Sequence, residues 1–117
     1  MNLTPEQRVA AARTRMAELK QKFIERTHGE LELMRASLAA LEGGDAAALG
    51  TIVQLAHRMT GTGATLGLDA LSDRAQDIER LGEASAAGSP FDAGTLAQLR
   101  AAIGALAAEL GRTPRGG

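Results

Sequence analysis

The sequence predicts an all-α fold, an antiparallel four-helix bundle with an additional N-terminal helical segment. Three observations predict it. Apolar residues recur at spacings of three and four through most of the chain. No window alternates apolar and polar residues as a half-buried strand would, and β-branched residues are sparse. Aromatics make up 2% of the residues, two Phe with no Tyr or Trp. The core must therefore be built from Leu, Ile, Val, Met and Ala, which suit close helix packing.

At 117 residues the chain suits one domain. At that size roughly two-thirds of the unfolded chain's surface can be buried, enough for one core. Thr4-Pro5-Glu6 reads as a helix start, with Thr as N-cap, Pro in the first helical position and an acid in the first turn. Met16, Leu19 and Phe23 form one apolar set. Ile24, Thr27, Leu31, Met34, Leu38 and Leu41 form another. The change of stripe near residues 20–24 predicts a short first helix, or a bend, before a longer one. Gly43-Gly44-Asp45 is a stop and restart: Gly ends the helix in a left-handed conformation and Asp45 caps the next. Leu49, Ile52, Val53, Ala56, Met59 and Gly63 then share one side of a helix that ends near Gly67. Asp69 opens another, carrying Leu71, Ala75, Ile78 and Leu81. Gly82 to Asp92 reads as a loop. Leu96, Leu99, Ile103, Leu106 and Leu110 mark the last helix. The expected organisation is an N-terminal helical segment over 1–15, the bundle over 16–111, and a flexible tail over 112–117.

Composition narrows the function classes. The 13 basic and 14 acidic residues nearly balance, and no aromatic ladder is available for stacking bases, so a nucleic-acid surface is not expected. Cysteine is absent, which removes disulfides, thiol nucleophiles and Cys-based zinc sites. No run of 18 apolar residues and no signal-peptide pattern occurs, so the expectation is a cytoplasmic protein outside the membrane.

One segment carries chemistry: Leu55-Ala56-His57-Arg58-Met59-Thr60-Gly61-Thr62-Gly63-Ala64-Thr65-Leu66-Gly67-Leu68. At about 100° per residue, His57 falls on the flank of the apolar stripe, anchored at its base and open at its tip. Gly50 and Gly61 share that flank, with Ala64 a turn beyond Gly61. Interior glycines cost a helix roughly 1 kcal/mol each, a cost usually accepted where another backbone or body approaches closely. Gly63 suits packing inside the bundle, and Gly61 suits access to His57. Free imidazole titrates near pH 6.5, so a neutral nucleophilic nitrogen is available near neutral pH. Such a nitrogen accepts a phosphoryl group and passes it on through a reactive P–N bond. No P-loop, paired carboxylates or metal-ligand spacing lies near His57 in the sequence. It reads as a carrier whose catalytic partner comes from outside. The remaining features have plain readings. His28 sits in a charged stretch without a supporting pattern. Arg8, Arg13, Arg15, Lys20, Lys22 and Arg26 form a solvated face, and Glu79 is a surface residue near the seam.

The segment resembles the signature of histidine-containing phosphotransfer (HPt) domains of bacterial phosphorelays. The resemblance rests on Ala56, His57, Met59, Gly61, Thr62, Gly63 and Gly67, with Leu71 and Ile78-Glu79 like the family's next helix. It implies that His57 is the phosphoacceptor, with Gln54, Arg58, Thr60, Gly61 and Ala64 as the partner-docking or phosphoryl environment. It implies a phosphocarrier rather than an enzyme. The partners it implies are a response-regulator receiver domain, which supplies Mg²⁺, and a hybrid histidine kinase; no metal is expected in this chain. One position departs from the family: Thr60 stands where a Lys is usual, three residues after the His. An alternative is therefore a non-phosphorylated module that sequesters a receiver or kinase domain. A structural helical adaptor is a third reading.

Overall fold

The computed structural model describes residues 2–86 and 92–114. The four helices are α1 (Pro5–Glu42), α2 (Ala48–Thr65), α3 (Asp69–Ala86) and α4 (Ala93–Arg112), with no strand among the described residues. α1 packs on α2 and α4, and α3 packs on the same two, so the helices form a ring with short connections at the ends. This is the bundle that the periodicity predicts.

α1 begins as the sequence implies. Thr4 and Gln7 form a capping box, each side chain binding the other's backbone N–H, with Pro5 in the first turn. It then runs for 38 residues as one helix rather than a short helix followed by a longer one. At about 1.5 Å per residue it accounts for the molecule's 60 Å length. Its first buried residue is Phe23. The stripe changes near residues 20–24 because the helix enters the bundle there, not because the backbone stops.

The turns follow the glycines with small shifts. Gly44, not Gly43, takes the positive φ, at 102°. Gly43 instead caps α1 in right-handed geometry. The Asp45 carboxylate accepts from the Ala47 N–H at 3.2 Å, so it shapes the lead-in turn, and α2 starts three residues later than Asp45. Gly67, at φ 74°, makes the tight connection from α2 to α3. The expected loop from Gly82 is corrected: α3 continues through Gly82 to Ala86. Residues 87–91 of that expected loop, and 115–117 of the expected tail, lie outside the described residues.

The core is a column of aliphatic side chains from all four helices, centred on Met34, Ile52, Met59, Ile78, Leu99 and Leu106. Burying one such side chain contributes roughly 1.5–3 kcal/mol. The buried Thr27 hydroxyl is satisfied locally, donating to the Phe23 carbonyl at 2.7 Å. Ser72 on α3 donates to the Thr60 carbonyl on α2 at 2.8 Å, tying the two helices beside the Gly67 turn.

Candidate functional site

The α2–α3 hairpin builds the site. Its register is set at the turn and carried along both helices. A Cβ on Gly63 would lie 3.3 Å from the Ser72 Cβ, so the helices nearly touch near the turn. Two turns farther His57 meets Glu79, and Val53 meets Gly82 farther still. Gly63 thus has the packing role its position suggested. Gly82 does the same work at the far end: a Cβ there would lie 2.3 Å from Val53 Cγ2.

His57 stands on the outer flank of α2 with its side chain 76% exposed. Its Nδ1–H donates to Glu79 Oε2, on a side chain only 12% exposed. A carboxylate accepts and does not donate, so the contact places the ring proton on Nδ1. In the neutral ring the lone pair then belongs to Nε2. Glu79 was read from the sequence as a surface residue; in the fold it is mostly buried and orients the histidine. The sequence signal for it is only approximate: counting ten residues outward on each side of Gly67 brings residue 57 opposite Asp77, two positions short of Glu79.

Two shallow grooves flank His57, and they differ in charge. Toward α3 the groove is lined by Val53, Gln54, Arg58, Glu79 and Glu83. Toward α1 it is lined by Arg26, Arg58, Gly61, Thr62 and Thr65. Arg26, which the sequence places on a solvated basic face, instead borders the histidine. Its Nε lies 3.4 Å from Glu30 Oε1, and its guanidinium sits 5.8 Å from the Phe23 ring centre, which positions the side chain on α1.

Of the residues expected around the phosphoryl group, the fold gathers Gln54, Arg58 and Gly61 beside His57. A Cβ on Gly61 would meet nothing within 4 Å, so the surface there is open. Ala64 is exposed near the end of α2. Thr60 lines neither groove; its hydroxyl donates to the Ala56 carbonyl of its own helix at 2.8 Å. Among the described residues no group of three His, Asp or Glu side chains is placed to hold a metal ion.

A helical bundle offering one exposed histidine, tethered by a carboxylate on a smooth flank, defines a class of bundle with a surface histidine. The family model described as Hpt domain matches residues 18–109, and the chain belongs to the Hpt domain family. Domains of this family are phosphocarrier modules of phosphorelays, whose partners include receiver domains and kinases. No curated protein and no solved structure matches the chain. No helix among the described residues is long and apolar enough to cross a membrane.

Proposed function

We propose that this chain is a phosphorelay intermediate of the bacterial cytoplasm that accepts and donates a phosphoryl group on Nε2 of His57. The observation that carries this reading is the Nδ1–H bond to Glu79 on an otherwise exposed ring. The Nε2 lone pair attacks the phosphorus of a receiver's aspartyl phosphate. The P–N bond forms as the P–O bond to the aspartate breaks, and the aspartate leaves as a carboxylate. The imidazole, which keeps its Nδ1 proton, becomes positively charged, and the Glu79 carboxylate stabilises that charge. Running the same step backwards donates the group to a receiver. The Mg²⁺ of the reaction is bound on the receiver side, and this chain is a carrier rather than an enzyme.

Arg26 and Arg58 give the α1-side groove a positive edge for the phosphoryl oxygens, in place of the Lys that Thr60 replaces. Gly61 leaves room for the receiver to close on His57, with Gln54 and Ala64 at the margins of the contact. A second reading, a module that sequesters a receiver or kinase without being phosphorylated, draws on Thr60, whose hydroxyl is turned into its own helix.

The test is incubation with phosphorylated receiver domains, followed by assay for acid-labile, alkali-stable label on this chain. Wild type takes the label and His57→Gln does not, while the helical signal and thermal midpoint of the variant stay near wild type. Label persisting in His57→Gln places the acceptor elsewhere. Tight receiver binding without label on the wild type selects the sequestering module.

A further inference from the structure

The first half of α1 projects beyond the bundle and carries a surface that phosphotransfer does not use. Val9, Ala12, Met16 and Leu19 recur at spacings of three, four and three along it. All four are exposed, and Val9, Met16 and Leu19 are large enough side chains that such exposure is unusual in a stripe. Phe23, the next in the series, is buried in the bundle. The period is that of a coiled-coil seam, with Val9 and Met16 in one core position and Ala12 and Leu19 in the other.

From Arg8 to Lys22 the charges flanking this seam are basic, and the acid Glu6, one turn before Val9, is the exception at its start. Arg8, Arg15 and Lys22 line one side of the seam, and Arg13 and Lys20 line the other. The nearby acid Glu18 falls on the far side of the helix from the seam. Among the described residues, no ion pair engages Arg13, Arg15, Lys20 or Lys22. The positions beside a coiled-coil seam are the ones that choose the partner.

From this arrangement we propose that the projecting half of α1 is a docking helix for an acidic amphipathic helix of another protein. The partner would present a matching apolar seam flanked by Glu or Asp. A second copy of this chain is a poor occupant: parallel or antiparallel, self-pairing sets Arg8, Arg15 and Lys22 of one copy against basic residues of the other, and only Glu6 offsets them. A membrane surface is also a poor fit. Helices lying in a lipid interface carry a broad bulky apolar face with aromatic anchors. Here the stripe is one seam wide, includes Ala12, and has no free aromatic, because Phe23 is already buried. The helix is also preformed, capped by Thr4 and Gln7 and continuous with the bundle, so docking need not order it.

The site lies close to the His57 surface without depending on it. Phe23 ends the seam, and Arg26, three residues and about 4.5 Å along the axis, lines the α1-side groove. A partner helix on the seam would therefore hold its protein beside His57.

The experiment uses the full chain and a labelled peptide of about three heptads, with Leu or Ile in the seam and Glu on both flanks. Controls are a peptide of the same composition with the apolar period scrambled, and phosphatidylcholine–phosphatidylserine vesicles. The expected result is binding of the in-register peptide at least about tenfold tighter than the scrambled one. Met16→Asp with Leu19→Asp removes the difference, while Arg13→Glu with Lys20→Glu weakens binding of the Glu-flanked peptide and favours one with Lys on the flank that faces the changed residues and Glu on the other. All these substitutions lie before the first buried residue of α1, and circular dichroism checks that the bundle is intact. His57→Gln binds the peptide like wild type, which separates this site from phosphotransfer. Equal binding of the scrambled peptide, vesicle binding without peptide binding, or a dimer of the chain alone in sedimentation each overturns the proposal.

Discussion

At His57 the two ring nitrogens have different surroundings: Nδ1–H donates to the mostly buried Glu79, and the rest of the ring faces outward. Glu79 therefore fixes the tautomer and supplies the charge that offsets an imidazolium. These two contributions can be separated. Glu79→Gln still offers an amide oxygen to Nδ1–H but removes the negative charge. Hydrogen bonds to ionised groups are roughly twice as strong as neutral ones, a difference of about 1 kcal/mol. Phosphoryl acceptance should slow about fivefold in Glu79→Gln and further in Glu79→Ala, where the orienting acceptor is lost as well. A stopped-flow transfer assay from one receiver checks the order, and equal rates in all three proteins would show that Glu79 only packs. Arg26 tests the phosphoryl side of the same histidine. Arg26→Gln should lower the transfer rate several-fold, on the order of 1 kcal/mol for one charge in partly solvated surroundings, and Arg26→Lys should keep most of it. If Thr60→Lys restores the rate in the Arg26→Gln background, the cation is supplied from α1 here. No change on removing Arg26 would leave Arg58 as the groove's cation.

At the scale of the helices, the α2–α3 hairpin explains both what the sequence disclosed and what it hid. The apolar stripes of α2 and α3 locate the core, since Ile52, Ala56, Met59, Leu71, Ala75 and Ile78 are all in it, whereas Met16 and Leu19 of the first stripe are exposed because no residue of α1 is buried before Phe23. Gly82 reads in the sequence as the start of a loop because a glycine alone does not say whether it ends a helix or lets another helix close on it. Only the register from the Gly67 turn, which sets it against Val53, distinguishes the two. The same limit applied to Glu79, whose partner is 22 residues away. The unbroken α1 was hidden for a related reason, since a stripe shifts when its packing partner changes even if the backbone continues. Gly82→Ala tests the close approach. An exposed helical Gly→Ala change raises stability by up to about 1 kcal/mol. Here the new methyl overlaps the stiff, β-branched Val53, so a net loss of about 1–3 kcal/mol is expected, a fall of several degrees in thermal midpoint. Val53→Ala in the same chain should recover most of it. A midpoint unchanged or raised by Gly82→Ala alone would mean that α2 and α3 separate there at no cost.

Over the whole molecule, α1 joins two parts with different dependence on packing. From Phe23 onward it is one wall of the bundle, and before Phe23 no residue of α1 is buried. The Hpt match begins at residue 18, close to this change. A helix that stands alone in water is marginal at this length, so the projecting part draws its order from its capping box and its continuity with the bundle. Removing residues 1–15 takes away the cap and exposes a new helix end at Met16. Fraying from that end is confined to about the first turn, and Phe23 lies seven residues inside it. The shortened chain should therefore lose helical signal roughly in proportion to the residues removed, while its cooperative thermal midpoint stays within about 2 °C. Phosphoryl acceptance by His57 should also be unchanged, because Arg26, Glu79 and both grooves remain. Binding of the acidic helix peptide should disappear, because Val9, Ala12 and the flanking Arg13 and Arg15 are gone. Calorimetry, transfer kinetics and peptide titration on one preparation read the three outcomes together. A large drop in midpoint would make the projecting helix part of the folding unit. Loss of phosphoryl acceptance at an unchanged midpoint would instead tie this segment to the receiver that docks on His57.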